Sequence, residues 1–305
     1  MKYFLFILLS FTLSETVGGY PGSSFRYGTN AREIALGNAL ISSTNNGFNA
    51  LVNPALLSEI KSDEYGFSYF SLSLDRSVQV LSLSNTLPPN AGMSLSYVKT
   101  GTDDIILKDN DNNNIGTYNH SESYGAISFG TKFNKFSIGI SLKAFFNKMP
   151  NSSAKGVGAD LGMIFNVNDN SQIGFICKDI SSKYSWDNEN NSAYEEVIPL
   201  SYALGYTYIN KAILIALRHN VLKIDRFNFE ESMIGIEYNM LTFLNIPLTF
   251  RCGTNQNSNF NFGFGYPINL SKNRLLIFDY SIDTNTFEEG GNHLISLTFI
   301  MDNHK

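Results

Sequence analysis

The short acidic and glycine-rich patterns in this 305-residue chain are the first places to look for chemistry. Asp109-x-Asp111-x-Asn113 has the opening spacing of a calcium loop. However, Asn114 stands where such a loop turns on Gly, and His120 stands where it needs a bidentate Glu. A solvated hairpin tip is the better reading, so no metal is expected. Gly156-x-Gly158 and Gly263-x-Gly265 have glycines at phosphate-loop spacing, but they lie inside period-two segments, where Gly lets another chain segment approach closely. Cys177 and Cys252 fall on the seventh and eleventh such segments. That is roughly 19 Å apart at ~4.8 Å per strand spacing, far beyond disulfide reach. The four His form no ligand-spaced pair, and no nucleophile elbow, Walker loop or zinc-protease helix occurs. An enzyme is not expected, nor is a cofactor.

Composition points elsewhere. The net charge is −5, which argues against nucleic acid as a partner. Charged residues make up only 16% of the chain, below the roughly 25% of an average soluble domain. Aromatic residues reach 13%, with 24 Phe and 16 Tyr against one Trp, which suits a β-rich chain with wet loops.

At the N-terminus, Met1-Lys2 precedes an apolar run from Tyr3 to Leu13, and small residues follow at Gly18 and Gly19. One positive charge, a short apolar core and small residues make a secretory signal peptide, expected over 1–19. Residues 20–60 hold the only helical pattern, with Ala31, Ile34, Ala35, Ala39 and Leu40 at helical spacing and Pro54 opening a second short helix. From Glu64 onward the period is two. Phe136, Ile138, Ile140, Leu142, Ala144 and Phe146 alternate with small or polar residues, as do Val157, Ala159, Leu161, Met163 and Phe165.

Fourteen such segments occur, an even number, and most are near the ~10 residues that cross a bilayer at a tilt. The even-numbered connections are short. The odd-numbered ones include the long stretches 100–120, 181–197, 221–231 and 283–291. A pair of soluble sandwiches would also alternate, but would carry more charge on its outer faces. The expected fold is an all-β, 14-stranded antiparallel transmembrane barrel over 61–305, with residues 20–60 as a short helical hatch segment. If the apolar sets face lipid, Lys143, Asp160, Glu237, Arg251 and Asp279 face inward. They are either a lumen crossed by ion pairs or ordinary solvated wall residues.

Several motifs resemble a known family. Ala31-Arg32, Leu36-Gly37-Asn38-Ala39 and Ala50-Leu51-Val52-Asn53-Pro54-Ala55-Leu56-Leu57 are similar to the N-terminal signature of the PorV/PorQ family of FadL-like outer-membrane barrels. Asp279-Tyr280-Ser281 and Gly291-Asn292-His293-Leu294-Ile295-Ser296-Leu297 are similar to its last two strands. The resemblance implies a fourteen-stranded barrel in the bacterial outer membrane, surrounded by lipid. It also implies a hatch turning on Asn53, Pro54 and Ala55. Two functions follow. One is a type IX secretion component that docks secreted cargo or other secretion subunits, and the alternative is a FadL-like channel for hydrophobic small molecules. If a protein partner binds, the expected anchor is the outward loop 181–197, through Tyr184, Trp186 and Tyr194 set among acidic residues.

Overall fold

The computed structural model describes residues 18–149, 152–188, 194–255, 260–284 and 291–302. Residues 1–17, which carry most of the expected signal peptide, lie outside the described residues. Among those described, no helix is long and apolar enough to cross a membrane.

The chain after residue 62 is one antiparallel sheet closed on itself. Its segments are β1 (Asp63–Leu72), β2 (Arg76–Leu87), β3 (Ala91–Lys108), β4 (Asn114–Phe133), β5 (Phe136–Met149), β6 (Ser152–Asn168) and β7 (Ser171–Asn188). They continue with β8 (Tyr194–Val197), β9 (Ser201–Ile209), β10 (Ile213–Ile224), β11 (Phe227–Asn239) and β12 (Thr249–Asn255). The last three are β13 (Phe260–Ser271), β14 (Arg274–Asp283) and β15 (Asn292–Met301). β8 and β9 lie in line, both pairing with β7, so the fifteen segments build a wall of fourteen strands. The break between them falls at Ile198-Pro199-Leu200, where Pro199 has no N–H to give a ladder. β1 pairs with both β2 and β15, which closes the ring and leaves no room for a sandwich.

Alternation decides which face is which. In β5, Ile138, Ile140, Leu142 and Phe146 are exposed on the outside, while Ser137, Ser141, Lys143 and Phe145 point in and are buried. The outer belt is apolar all round, as lipid requires. Cys252 stands exposed on it, and Cys177 is half-buried.

Inside runs the segment 20–60, with a 3-10 turn at Ser23–Arg26, α1 (Ala31–Ala35), α2 (Asn49–Val52) and a 3-10 helix at Pro54–Glu59. The expected helix through Leu40 stops early. Gly37 and Asn38 take φ of 62° and 60°, a left-handed pair that ends α1, while Ala39 and Leu40 remain buried beyond it. A one-turn helix, Leu241–Leu244, fills one of the short connections and ends on Asn245 at φ 58°.

The expected loops at 100–120 and 181–197 prove to be largely strand. β3 and β4 continue as a ribbon to a tight turn at 109–113, where the Asp109 carboxylate accepts the amides of Asp111 and Asn113. The Asn113 amide contributes most to holding this exposed carboxyl below its usual range. That turn uses the acidic pattern as a structural cap. β7 runs on to Asn188, so Tyr184 and Trp186 are wall residues, not loop residues.

Candidate functional site

The inner segment is fastened to the wall nearly all the way round. Near the short-turn end, the Glu59 carboxylate receives Lys132 Nζ, Ser137 Oγ and Asn166 Nδ2, each at 3.0 Å, from three adjacent strands. Glu64 of β1 reaches in the other direction. Its carboxylate takes the Gly47 amide at 2.6 Å and Asn49 Nδ2 at 2.7 Å.

Asn53-Pro54-Ala55 sits against β4–β7. Asn53 Oδ1 accepts the Ala55 amide at 3.1 Å and caps the 3-10 helix, while its Nδ2 donates to the carbonyls of Ile41 and Phe175 at 3.0 and 3.2 Å. Close approach here depends on wall glycines. A Cβ on Gly162 would lie 1.9 Å from Asn53 Oδ1, and one on Gly139 would lie 2.3 Å from the Pro54 carbonyl carbon. Gly263 meets α1 in the same way, through the Ala35 Cβ at 2.6 Å. Its partner Gly265 makes room for the ion pair of Arg251 and Asp279.

The five inward charges fall into two separate clusters. On one side, Arg251 Nε donates to Glu237 at 2.7 Å and Arg251 Nη1 to Asp279 at 2.6 Å. Arg32 of the inner segment completes this group with two bonds to Glu237, at 2.8 and 3.1 Å. Across the barrel, Lys143 lies 2.6 Å from both Asp160 and Asp179, and Arg26 reaches Asp179 at 2.8 Å. Each cluster balances two cations with two carboxylates, the condition under which buried charge is tolerated. Asp179 stands where β6 and β7 lose register, with φ of 64°, which turns its carboxylate inward among these cations.

Residues 20–29 cross the lumen on the long-loop side. Ser24 Oγ donates to Glu122, Arg26 to Asp179, and Tyr27 Oη to Asp283 at 2.7 Å. Between this strap, the helices and the wall lies a chamber of about 600 Å³. One flank is aromatic, with Lys143 Nζ 5.6 Å from the ring centres of Tyr124 and Phe145. Phe25 meets Tyr124 edge-on at 4.8 Å and Phe145 lies beside both, with Tyr184 packed behind Phe145 outside the lining. The other flank is charged and holds Lys178 and Arg218. Lys178 donates to the Leu51 carbonyl and Arg218 to the Asn38 carbonyl, while Arg218 Nε has no partner among the described residues.

The expected surface anchor needs correcting. Tyr184 and Trp186 are only 1% and 5% exposed, and both point into the barrel. Tyr184 Oη donates to Glu122 at 2.5 Å and Trp186 Nε1 to Glu196 at 2.9 Å. Tyr194 alone is exposed, stacked on Trp186 with ring planes 12° apart. Sequence reasoning missed Arg26, Arg32, Glu59, Glu64, Glu122 and Asp179. Two basic residues against a single acid, Glu33, in the stretch 20–48 before α2 were the available signal for Arg26 and Arg32.

No protein-family model and no curated protein sequence matches the chain. Solved structures do. The toluene transporter TodX of Pseudomonas putida superposes with a TM-score of 0.63 at 12% identity, over 95% of this chain and 100% of that one. The CymD monoaromatic hydrocarbon channel gives 0.60 at 11% identity, over 92% and 98%. A Pseudomonas aeruginosa FadL homologue gives 0.59 at 13% identity, over 90% and 98%. At these identities the likeness is one of fold: this chain is a fourteen-stranded barrel of the same fold as these channels.

Proposed function

We propose that this chain is an outer-membrane channel for hydrophobic small molecules. The observation that carries the reading is the chamber of about 600 Å³ with its aromatic flank, enclosed by an apolar-belted barrel. The likeness to channels named for toluene and monoaromatic hydrocarbons supports it. The docking role in type IX secretion, expected from the PorV/PorQ resemblance, has no such support, because the matching neighbours are named as transporters and channels. In this reading, residues 1–19 export the chain, residues 20–60 plug the lumen, and the long connections face outward.

Filling the chamber tests the proposal. Ala126 is buried on the inner face and lines the chamber. Ala126→Trp should slow uptake of radiolabelled toluene by cells that express the barrel, while heat-modified gel mobility shows that the barrel still folds. Uptake equal to that of the unaltered protein would remove the chamber from any transport route.

A further inference from the structure

The wall is not of one height. β3 and β7 have 18 residues and β4 has 20, whereas β14, β15 and β1 have ten each. At ~3.3 Å per residue, the tall strands run roughly 26–33 Å farther along their own axes than the short ones. Among the described residues the long-loop rim therefore steps down where β4 runs on past its last β5 pair, Ser121↔Lys148, where β11 runs on past its last β12 pair, Met233↔Asn255, and at two further places. At one, β3 rises past β2, whose ladder with it ends at Arg76↔Thr102. At the other, β8 rises past β10. There the β9–β10 ladder ends at Leu222↔Ser201, and a last bond joins the Lys223 amide to the Leu200 carbonyl.

The steps at β3 and β8 each bare a strand edge, and these two edges differ. On β3, Asp103 and Asp104 form a bulge, with Asp104 at φ 55° and the register jumping from Thr102↔His120 to Ile105↔Tyr118. The Asp103 amide is already used by the Asp75 carbonyl at 3.2 Å. A bulge carrying two acids blunts an edge against further pairing. β8 has neither device. It lies in unbroken register on β7, from Trp186↔Tyr194 to Lys183↔Val197, and among the described residues it pairs with β7 alone. The Ile198 amide donates to the Ser182 carbonyl at 3.0 Å, which sets the alternation along the strand. The backbone groups of Tyr194 and Glu196 therefore turn toward β7, and those of Glu195 and Val197 turn away from it.

We propose that the free edge of β8 takes up an extended, lysine-bearing segment of a partner polypeptide as an added strand. The edge offers two N–H and two C=O groups, the main-chain basis of strand addition. Charge selects the partner. Glu195 is exposed and already holds Lys183 of β7 at 2.6 Å on one side. A lysine on the incoming strand would flank Glu195 on the other side and complete a Lys–Glu–Lys row across three strands. Val197, 69% exposed on the same face, offers apolar contact beside it.

The test uses Trp186, the only Trp in the chain, which is stacked on Tyr194 and hydrogen-bonded to Glu196. The peptide acetyl-Lys-Val-Lys-Val-Lys-amide is titrated onto the full barrel folded in detergent, and Trp emission is followed. A saturable change is expected. It should be abolished when alternate backbone nitrogens of the peptide are methylated, and the affinity should fall about tenfold in Glu195→Lys. The methylated peptide leaves the protein unaltered, so a folding defect cannot mimic its effect. Absence of a saturable change, or equal binding of the methylated peptide, would overturn strand addition. Equal binding of a Glu-Val-Glu-Val-Glu peptide would overturn the charge assignment.

Discussion

Arg32 in α1 and Glu237 in β11 face each other through two hydrogen bonds, 205 residues apart in the chain, with the Thr44 carbonyl taking a third Arg32 donor at 2.8 Å. The guanidinium thereby ties the inner segment to both its own loop and the wall. Glu237 passes the connection on to Arg251 and Asp279. Losing one member of such a group leaves the others buried and unbalanced.

Arg32→Ala should therefore lower the unfolding free energy of the detergent-folded barrel by about 3–5 kcal/mol. Arg32→Lys should recover only part of that loss, because an ammonium cannot make the two-pronged contact with Glu237. Urea titrations of the three proteins, read by heat-modified gel mobility, check both expectations. A lysine variant as stable as the parent would show that charge alone is enough.

A second expectation concerns Gly139, where a side chain would collide with the Pro54 carbonyl. Gly139→Val should unseat the 3-10 helix while the wall, whose β5 ladders do not use that Cβ, still closes. Planar-bilayer recordings should then show higher small-ion conductance than the parent. Deleting residues 24–58 should raise it further. Unchanged conductance in both would mean that the inner segment blocks nothing.

The anchor at Glu59 should depend on pH. Burial acts first and pushes its carboxyl up, but the hydrogen bonds from Asn166 and Lys132 and the Lys132 charge outweigh burial and hold it below the ordinary 4.5. A carboxyl depressed on folding stabilises fully above its unfolded value, and that stabilisation is lost as pH falls through the folded value. Amide exchange of Ala55–Glu59, corrected for intrinsic rate, should be flat above the ordinary carboxyl value of 4.5 and rise as the pH falls below it. Glu59→Gln should show no such step. A step of equal size in that variant would assign it to another group.

Trp186 and Tyr194 should part company under mutation. Trp186 is packed inside the wall, so Trp186→Ala should cost about 3–5 kcal/mol in the urea assay. Tyr194→Ala removes an exposed ring, 51% accessible, and should cost less than about 1 kcal/mol. Equal losses would mean that the stack on Trp186 carries structural weight of its own.

Much of the wall was legible because lipid on one side and a polar interior on the other impose period two, as in Phe136–Phe146. The signal fades where both faces are wet. That is why 100–108, 114–120 and Tyr194–Val197 read as loop although all are strand, whereas 181–188 keeps its period of two with the large rings on the inner face. Tyr184 and Trp186 were misplaced for a related reason. They are apolar residues turned inward at the rim, the reverse of the rule that holds across the bilayer. The inward direction of Lys143, Asp160, Glu237, Arg251 and Asp279 followed from alternation alone. Their division into two clusters did not, since it depends on Arg26 and Arg32 arriving from a segment with no strand pattern. The chamber was equally out of reach, because Phe25 and Tyr124 meet only once the strap is folded inside.

The seam between β1 and β15 joins the first and last strands of the wall, and the segment it encloses precedes both in the chain. That segment is held from several parts of the ring at once: Asn53 by β7, Glu59 by β4, β5 and β6, and Arg32 by Glu237 of β11. The inner segment is thus a cross-brace, tying together strands that are not neighbours in the wall.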